Sequence, residues 1–297
     1  NCNPTVLNLV GPASSSKTTV LSFFRGVPEV IYFTDKFTPK SFVSCYANAK
    51  SEKLSKIDLL PRVKHKVMVV PELAPIFRAR NEDLIENIAI LTRVFDGEGL
   101  YVDSGTTGRR GYEGDYMLCW LGATTPIEHN VWKVMAQLGS RMFFLAMKDE
   151  ERSADDLAEQ NHATIPYKVR KEECQQSVGI FLKNLFSKQS IRSIIWDRSG
   201  DDPEAIKLIA NLAILLAHLR GGLQIWSEGQ VDGENFVHRA PQIEQPDRAN
   251  TVLYNFARGR AILSGRRSIL MEDVRLVAEI AFSSMPDDRR HLFQALI

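Results

Sequence analysis

The stretch that most constrains the fold is Gly11-Pro12-Ala13-Ser14-Ser15-Ser16-Lys17-Thr18. It follows the apolar run Val6-Leu7-Asn8-Leu9-Val10, which predicts a buried strand. It leads into Thr19-Val20-Leu21-Ser22-Phe23-Phe24, which reads as the opening turns of a helix. Strand, tight loop and helix in that order are the setting of a phosphate-binding loop. Successive N–H groups of such a loop, with those of the helix start, form a cradle for anions. Gly11, Pro12, Ala13, Ser14, Ser15, Ser16, Lys17, Thr18 and Thr19 are therefore the expected nucleotide-binding residues. Lys17 would reach the terminal phosphates, and the Thr18 hydroxyl would hold Mg2+. The motif ordinarily places glycine before its lysine, and this chain has Ser16 there. The expected ligands are ATP and Mg2+.

Composition narrows what such a site could serve. A chain of 297 residues suits one large domain or two, each able to bury its own core. Lys and Arg total 37 against 36 for Asp and Glu, a net charge of +1, so contact with nucleic acid would have to rest on a local patch. The 4 cysteines, Cys2, Cys45, Cys119 and Cys174, have no metal-ligand spacing. Three of them lie among apolar residues, which predicts buried, reduced thiols. No apolar run is long enough to span a bilayer and no signal peptide opens the sequence, so a cytoplasmic setting without a membrane partner is expected. Opening at Asn1, one strand short of its first motif, the sequence reads as a piece of a longer chain.

Beyond the loop, Val30-Ile31-Tyr32-Phe33 predicts a second strand, residues 41–49 a helix, and residues 50–56 a charged, solvated connection. Lys66-Val67-Met68-Val69-Val70 is a branched run ending in Pro71-Glu72. Strands alternating with helices argue for a parallel sheet with its ligand at the carboxyl ends of the strands. Glu72 falls at such an end, where P-loop ATPases place the group that handles the attacking water. The rival reading is a surface glutamate after a core strand. Asn81-Glu82-Asp83 opens a helix with Leu84, Ile88, Leu91 and Phe95 on its apolar face, stopped by Gly97 and Gly99. Leu100-Tyr101-Val102-Asp103 and the tip Gly105-Thr106-Thr107-Gly108-Arg109-Arg110-Gly111 predict a β-hairpin with a basic tip. Tyr116 to Gly122 reads as a buried strand that ends in Ala123-Thr124-Thr125-Pro126, and Gly139-Ser140-Arg141 precedes a last apolar strand over residues 142–147.

The texture then changes. Residues 148–160 are highly charged, and Pro166 reads as a hinge. Helical periodicity runs from Lys171 through Val178, Phe181, Leu182 and Leu185, and again through Ile206, Ile209, Ala210, Ala213, Leu216 and Leu219 to Gly221-Gly222. Residues 223–239 suggest a small hairpin around Asp232-Gly233, and residues 247–263 and 271–282 two further helices. The expected organisation is an α/β nucleotide-binding core over residues 1–165 and a helical subdomain over residues 166–297.

In this order and spacing the pieces resemble the AAA+ ATPases. Within them the chain looks most like the branch with a hairpin inserted before the first sensor, with minichromosome-maintenance helicases first and MoxR-like ATPases second. That helicase family commonly carries a small non-glycine residue before its lysine, as Ser16 is here. Gly122-Ala123-Thr124-Thr125-Pro126 resembles the sensor-1 strand end, with Thr125 where asparagine is usual. Gly139-Ser140-Arg141-Met142-Phe143 resembles the step carrying the trans-acting arginine, which implies that role for Arg141. Asp247-Arg248, followed by Val252, Leu253, Ala257 and Ala261 and then Glu272-Asp273-Val274, resembles the lid, with Arg248 as its sensor-2 arginine.

The resemblance implies a P-loop AAA+ core with a parallel sheet, an α-helical lid and a homo-oligomeric, hexameric ring. It implies ATP hydrolysis through Lys17, Glu72, Thr125, Arg141 and Arg248, and a pore lined by Arg109 and Arg110 that grips DNA. The departure is Pro71, which stands where the family has the aspartate that anchors the Mg2+ water shell, and it implies slow turnover. Each arginine has a plainer reading: Arg141 as a sheet-edge residue, Arg248 as a helix opener paired with an acid, Arg109 and Arg110 as mobile loop charges. Two functions stay open. One is a DNA-translocating helicase motor for replication of a mobile or viral genome. The other is a MoxR-like protein remodeller or nucleotide-gated assembly switch. The basic tip and the lid register favour the first, while neutral net charge and Pro71 favour the second.

Overall fold

A computed structural model describes residues 4–44, 51–105, 108–138, 141–147, 152–162, 164–188, 195–222, 225–230 and 233–296. They fall into two compact units interleaved along the chain. The first comprises Asn1–Ala79, Arg93–Pro126 and Leu145–Ile195, the second Arg80–Thr92, Ile127–Phe144 and Trp196–Ile297.

The first unit is built on the strand that precedes the loop, β1 (Val6–Val10). It belongs to a five-stranded parallel sheet with β2 (Ile31–Phe33), β3 (Val67–Val70), β6 (Cys119–Thr124) and β7 (Phe143–Ala146), in the order β2-β3-β6-β1-β7. From β1 the chain runs out to the edge at β2, returns through β3 and β6, then passes β1 to β7, so the strand order reverses at β1. Val10 is paired with Thr124, and Val70 with Gly122. That register brings the carboxyl ends of β1, β6 and β3 to one edge.

Apolar burial on both faces holds the sheet in place, as expected for parallel strands. Leu9, Leu21, Val27, Ile31, Val69 and Ala123 form one buried cluster, with Val20, Phe24 and Leu182 packed against it. Elsewhere the Trp120 ring meets Phe95 and Phe37 edge-on, at 5.4 and 5.2 Å between centroids, and its indole N–H donates to Oδ1 of the buried Asn8 at 3.0 Å. Gly122 is the neighbour this arrangement requires. A Cβ there would lie 2.3 Å from Asn8 Oδ1 and 2.7 Å from Leu73 Cδ1, so only hydrogen fits as β6 passes beneath the turn after β3.

The strands, the helix α5 (Asn81–Val94) and the hairpin of β4 (Gly99–Ser104) with β5 (Gly108–Glu113) agree with the sequence reading. Other elements differ. Ser51–Ile57, inside the expected solvated connection, is a helix (α2), followed by α3 (Leu59–Val63). The segment is rich in good helix formers, but it is too short for an apolar period to be visible. Of the helix expected over residues 41–49, Pro39–Phe42 form a single 3-10 turn and Val43 is extended, while residues 45–49 lie outside the described residues. The strand expected from Tyr116 starts at Cys119. Cys119, at the solvated start of β6, and Cys174 are exposed rather than buried, and Cys2 and Cys45 lie outside the described residues. The short helix α4 (Ala74–Phe77), α6 (His129–Leu138) and α7 (Ala154–Asn161) have no counterpart in the sequence reading. The long helix α8 opens at Tyr167 and runs to Lys188, and Phe181, expected on its apolar face, is exposed.

In the second unit α9 (Pro203–Arg220), α10 (Asp247–Leu263) and α11 (Met271–Ser283) pack on one another, and α11 meets a last helix, α12 (Asp287–Leu296); the unit also holds a two-stranded ribbon of β8 (Ile225–Gln230) and β9 (Gly233–His238). Asp202 caps α9, accepting from Glu204 N at 2.9 Å, with Pro203 in the first turn where its missing N–H costs nothing. Asp273 accepts from Leu270 N at the start of α11 and takes both arms of Arg266 at 2.7 Å. Arg220 is buried, donating to Met142 O at 2.7 Å and to Ser284 O at 2.6 Å. Among the described residues no helix is long and apolar enough to cross a membrane.

Candidate nucleotide site

The loop begins as a continuation of the sheet: Gly11 N donates to Thr124 O at 3.4 Å. It then folds back on itself. Ser15 donates to Pro12 O through its N–H at 3.4 Å and through its hydroxyl at 3.0 Å. Ser14 and Ser16 adopt left-handed backbone, with φ of 67° and 60°. Left-handed and turn residues in succession bend a backbone into the concavity that binds anions. They also explain the glycine usual before the lysine, since a side chain in that region costs roughly 1–2 kcal/mol.

Lys17 is buried at the mouth of this curve. Its ammonium donates to Gly11 O at 2.8 Å, Pro12 O at 2.6 Å and Ser15 Oγ at 3.0 Å. The helix that follows, α1 (Lys17–Ser22), has 6 residues before a 3-10 turn over Phe23–Gly26. So short a helix carries a small dipole, and the loop amides and Lys17 are the main attraction for an anion. The helix is secured at both ends by α8: Thr19 Oγ1 lies 2.7 Å from Tyr167 OH, and Gln175 Nε2 donates to Ser22 O at 3.0 Å. Tyr167, 148 positions from Thr19, leaves no trace of this contact in the sequence.

Two further expected residues come to the same edge. After β3 the chain passes the buried Pro71 to the exposed Glu72, whose Oε1 accepts from Ala74 N at 2.8 Å and so caps α4. Leu73 N donates to Ala123 O at 2.9 Å, tying this turn to the end of β6. Thr125, the residue after β6, accepts at Oγ1 from Arg78 Nη2 at 3.3 Å. Along one sheet edge the chain therefore gathers an anion cradle with its lysine, a carboxylate, a hydroxyl and a guanidinium.

Mg2+ is compatible with this edge. It keeps several waters and takes few protein ligands beside phosphate oxygens. The exposed Thr18 hydroxyl suits that role, and among the described residues no group of three or more His, Cys, Asp or Glu side chains could hold a metal without a phosphate.

The two hairpin arginines part company. Adjacent residues of a strand face opposite ways. Arg109 is exposed, with its guanidinium 4.2 Å from the centre of the Tyr101 ring. Arg110 turns inward, 3.7 Å from the carboxylate of Asp58, which is only 1% exposed and opens α3. The same carboxylate accepts from Tyr112 OH at 2.7 Å and from Ser44 N at 2.9 Å. Burial, with that bond to Asp58, pushes the Tyr112 hydroxyl far above the ordinary tyrosine range. Thr106 and Thr107 of the tip lie outside the described residues.

Arg141 and Arg248 belong to the second unit. Arg141 is half-buried directly before Met142, whose carbonyl Arg220 holds; Gly139 and Ser140 of its motif lie outside the described residues. Arg248 is half-buried in the first turn of α10, where a cation opposes the helix dipole. No family model matches the sequence, and no curated protein matches it.

Proposed function

We propose that this chain is the ATP-hydrolysing core of a ring-forming DNA motor of the AAA+ class, most like minichromosome-maintenance helicases, serving replication of a mobile or viral genome. The observation that carries the reading is the left-handed loop around Lys17 at the strand-order reversal, with Glu72 and Thr125 on the neighbouring strand ends. In open parallel sheets that is where ligands bind.

In this reading the loop amides and Lys17 hold the β- and γ-phosphates, and Glu72 orients the water that attacks the γ-phosphorus as the bond to the β-phosphate oxygen breaks. Thr125 senses the γ-phosphate, Arg141 completes the site of a neighbouring subunit, and Arg248 acts from the lid. Bound Mg2+, with Thr18 as its side-chain ligand, would neutralise the developing charge on the phosphates. Pro71 offers no carboxylate to fix the metal's waters, so turnover is slow and the demand for Mg2+ high.

The second reading, a MoxR-like protein remodeller or assembly switch, draws on Arg110. Its pairing with Asp58 leaves Arg109 as the exposed member of the pair, a thinner basic collar than two arginines per subunit would make. The deciding experiment has two arms. Calorimetry with Lys17→Ala should show nucleotide binding lost with thermal unfolding of the apo protein little changed; retained binding rejects the loop as the site. DNA added to the parent should stimulate ATP hydrolysis; nucleotide binding without that stimulation moves the assignment to the remodeller.

A further inference from the structure

We infer that Arg78 is a second phosphate-binding cation of this site, held by Thr125 against the terminal phosphate and distinguishing a nucleoside triphosphate from a diphosphate. The inference rests on the nucleotide reading of the loop. Thr124 is paired with Val10 and its carbonyl accepts from Gly11 N, so Thr125 stands next to the first residue of the loop. The Arg78 guanidinium donates to the Thr125 hydroxyl at 3.3 Å, which puts it on the same edge of strand ends as the loop.

The backbone that carries Arg78 is firmly set. Leu73 is tied to Ala123, Phe77 N donates back to Leu73 O at 3.2 Å, and Arg78 N to Ala74 O at 2.8 Å. Ile76 and Phe77 are buried, and Pro75 fixes the first turn of α4. An exposed arginine on so short and so well fastened a turn has its Cα placed for it, and only its side chain needs to move.

The chemistry of the edge gives that side chain a task. A nucleoside triphosphate brings about four negative charges, and the usual P-loop site meets them with a lysine and a metal fixed by a carboxylate. Here the position after β3 is Pro71, so the metal is less well fixed. A guanidinium is planar and permanently charged, and its fork of N–H donors matches phosphate oxygens. One arm on Thr125 and another on a γ-phosphate oxygen would supply in cis the charge the metal supplies poorly. A diphosphate ends short of that position and would not feel the change.

The test is calorimetry of ATP and ADP, each with and without Mg2+, on the whole chain and on Arg78→Ala and Arg78→Lys. Arg78→Ala should weaken ATP about tenfold or more, most strongly without Mg2+, and leave ADP within about twofold. Arg78→Lys should recover part of the loss, because charge returns without the fork. A ratio of ATP to ADP affinity that is the same in Arg78→Ala as in the parent overturns the inference. Where the unchanged ratio comes with an equal loss for both nucleotides, Arg78 is a support of the loop. A parent chain that binds neither nucleotide removes the site itself, an outcome distinct from both.

Discussion

Glu72 serves two ends at once, and the two can be separated. Its Oε1 caps α4 through Ala74 N, and as the proposed base it faces the attacking water. An amide oxygen accepts the same bond, so Glu72→Gln should change unfolding free energy by less than about 0.5 kcal/mol. As a base it would be lost, and steady-state hydrolysis should fall by about 10²–10⁴ with ATP affinity unchanged. Hydrolysis that survives in Glu72→Gln would assign Glu72 to the cap alone. Ser16 gives the opposite kind of prediction. Its φ of 60° is a region glycine enters freely, so Ser16→Gly should raise stability to denaturant by up to about 1 kcal/mol, less the entropy glycine adds to the unfolded chain. A destabilised variant would show that the Ser16 side chain contributes more than its backbone costs. At this scale the legible residues were those with partners near in sequence: Lys17 donates to Gly11, Pro12 and Ser15, all within six positions, and Glu72 accepts from an amide two positions on. Arg78 and Thr125 are 47 positions apart, and no local pattern announces such a pair.

Among the elements, the hairpin is where sequence and structure divide most usefully. Its strands were legible from glycines and alternation, yet the tip reads as two equal arginines only until the period of two is applied to them. Arg109→Ala should leave stability unchanged and, on the motor reading, reduce DNA affinity for all sequences alike, with a salt slope shallower by about one. Arg110→Ala removes the cation beside a buried carboxylate and should instead cost about 1–3 kcal/mol in denaturant unfolding. If the two variants lose DNA binding equally at full stability, the inward placement of Arg110 is wrong. The short helices α2, α4, α6, α7 and α12 were the illegible part, because segments of 4 to 10 residues hold at most three turns of any apolar period. The capped start of α11 adds a pH test. Burial pushes the Asp273 carboxyl up, but the bonds from Arg266 and Leu270 N and the nearby charges of Arg266 and Arg260 outweigh it, holding the group below the ordinary carboxylate range. A group depressed on folding stabilises the protein above its unfolded pKa, about 3.9, and that contribution fades as pH falls through the folded value. Arg266→Ala should therefore cost about 2–3 kcal/mol at pH 7 and progressively less as the pH is lowered below about 3.9, with a measurable drop by pH 3. An equal cost at both values would assign the effect to packing of the Arg266 stem.

For the molecule as a whole, the sequence marks a change of texture near Pro166, whereas the compact units cross the chain several times: α8 belongs with the loop, and residues 127–144 with the later helices. Such interleaving is set by contacts between distant segments and leaves no composition boundary. Its consequence for the proposed function is that the candidate residues divide into two sets, Lys17, Thr18, Glu72, Arg78 and Thr125 in one unit and Arg141 and Arg248 in the other. On the ring reading a working site takes the first set from one subunit and Arg141 from its neighbour, and an arginine supplied in trans can be worth about 10³–10⁵ in rate. Arg141→Ala and Lys17→Ala should then each be inactive alone, for different reasons: the first binds ATP without a neighbour's finger, the second offers a finger but binds no ATP. Mixed before assembly, some interfaces would pair an intact loop with an intact Arg141. With random mixing at equal amounts, about a quarter of the interfaces would be complete, so ATPase activity should return to a minor but measurable fraction of the parent's. The control is native mass spectrometry of the mixture, with one variant isotope-labelled, to show that rings contain both. Recovery in mixed rings, and none when the variants are assembled separately and then combined without exchange, identifies a shared site. Mixed rings that stay inactive mean that Arg141 acts within its own subunit or keeps the start of β7 in place. In that case Arg141→Lys, which preserves the charge but not the fork, separates the two: a cation that only supports β7 recovers the rate as lysine, and one that needs its fork on a phosphate does not.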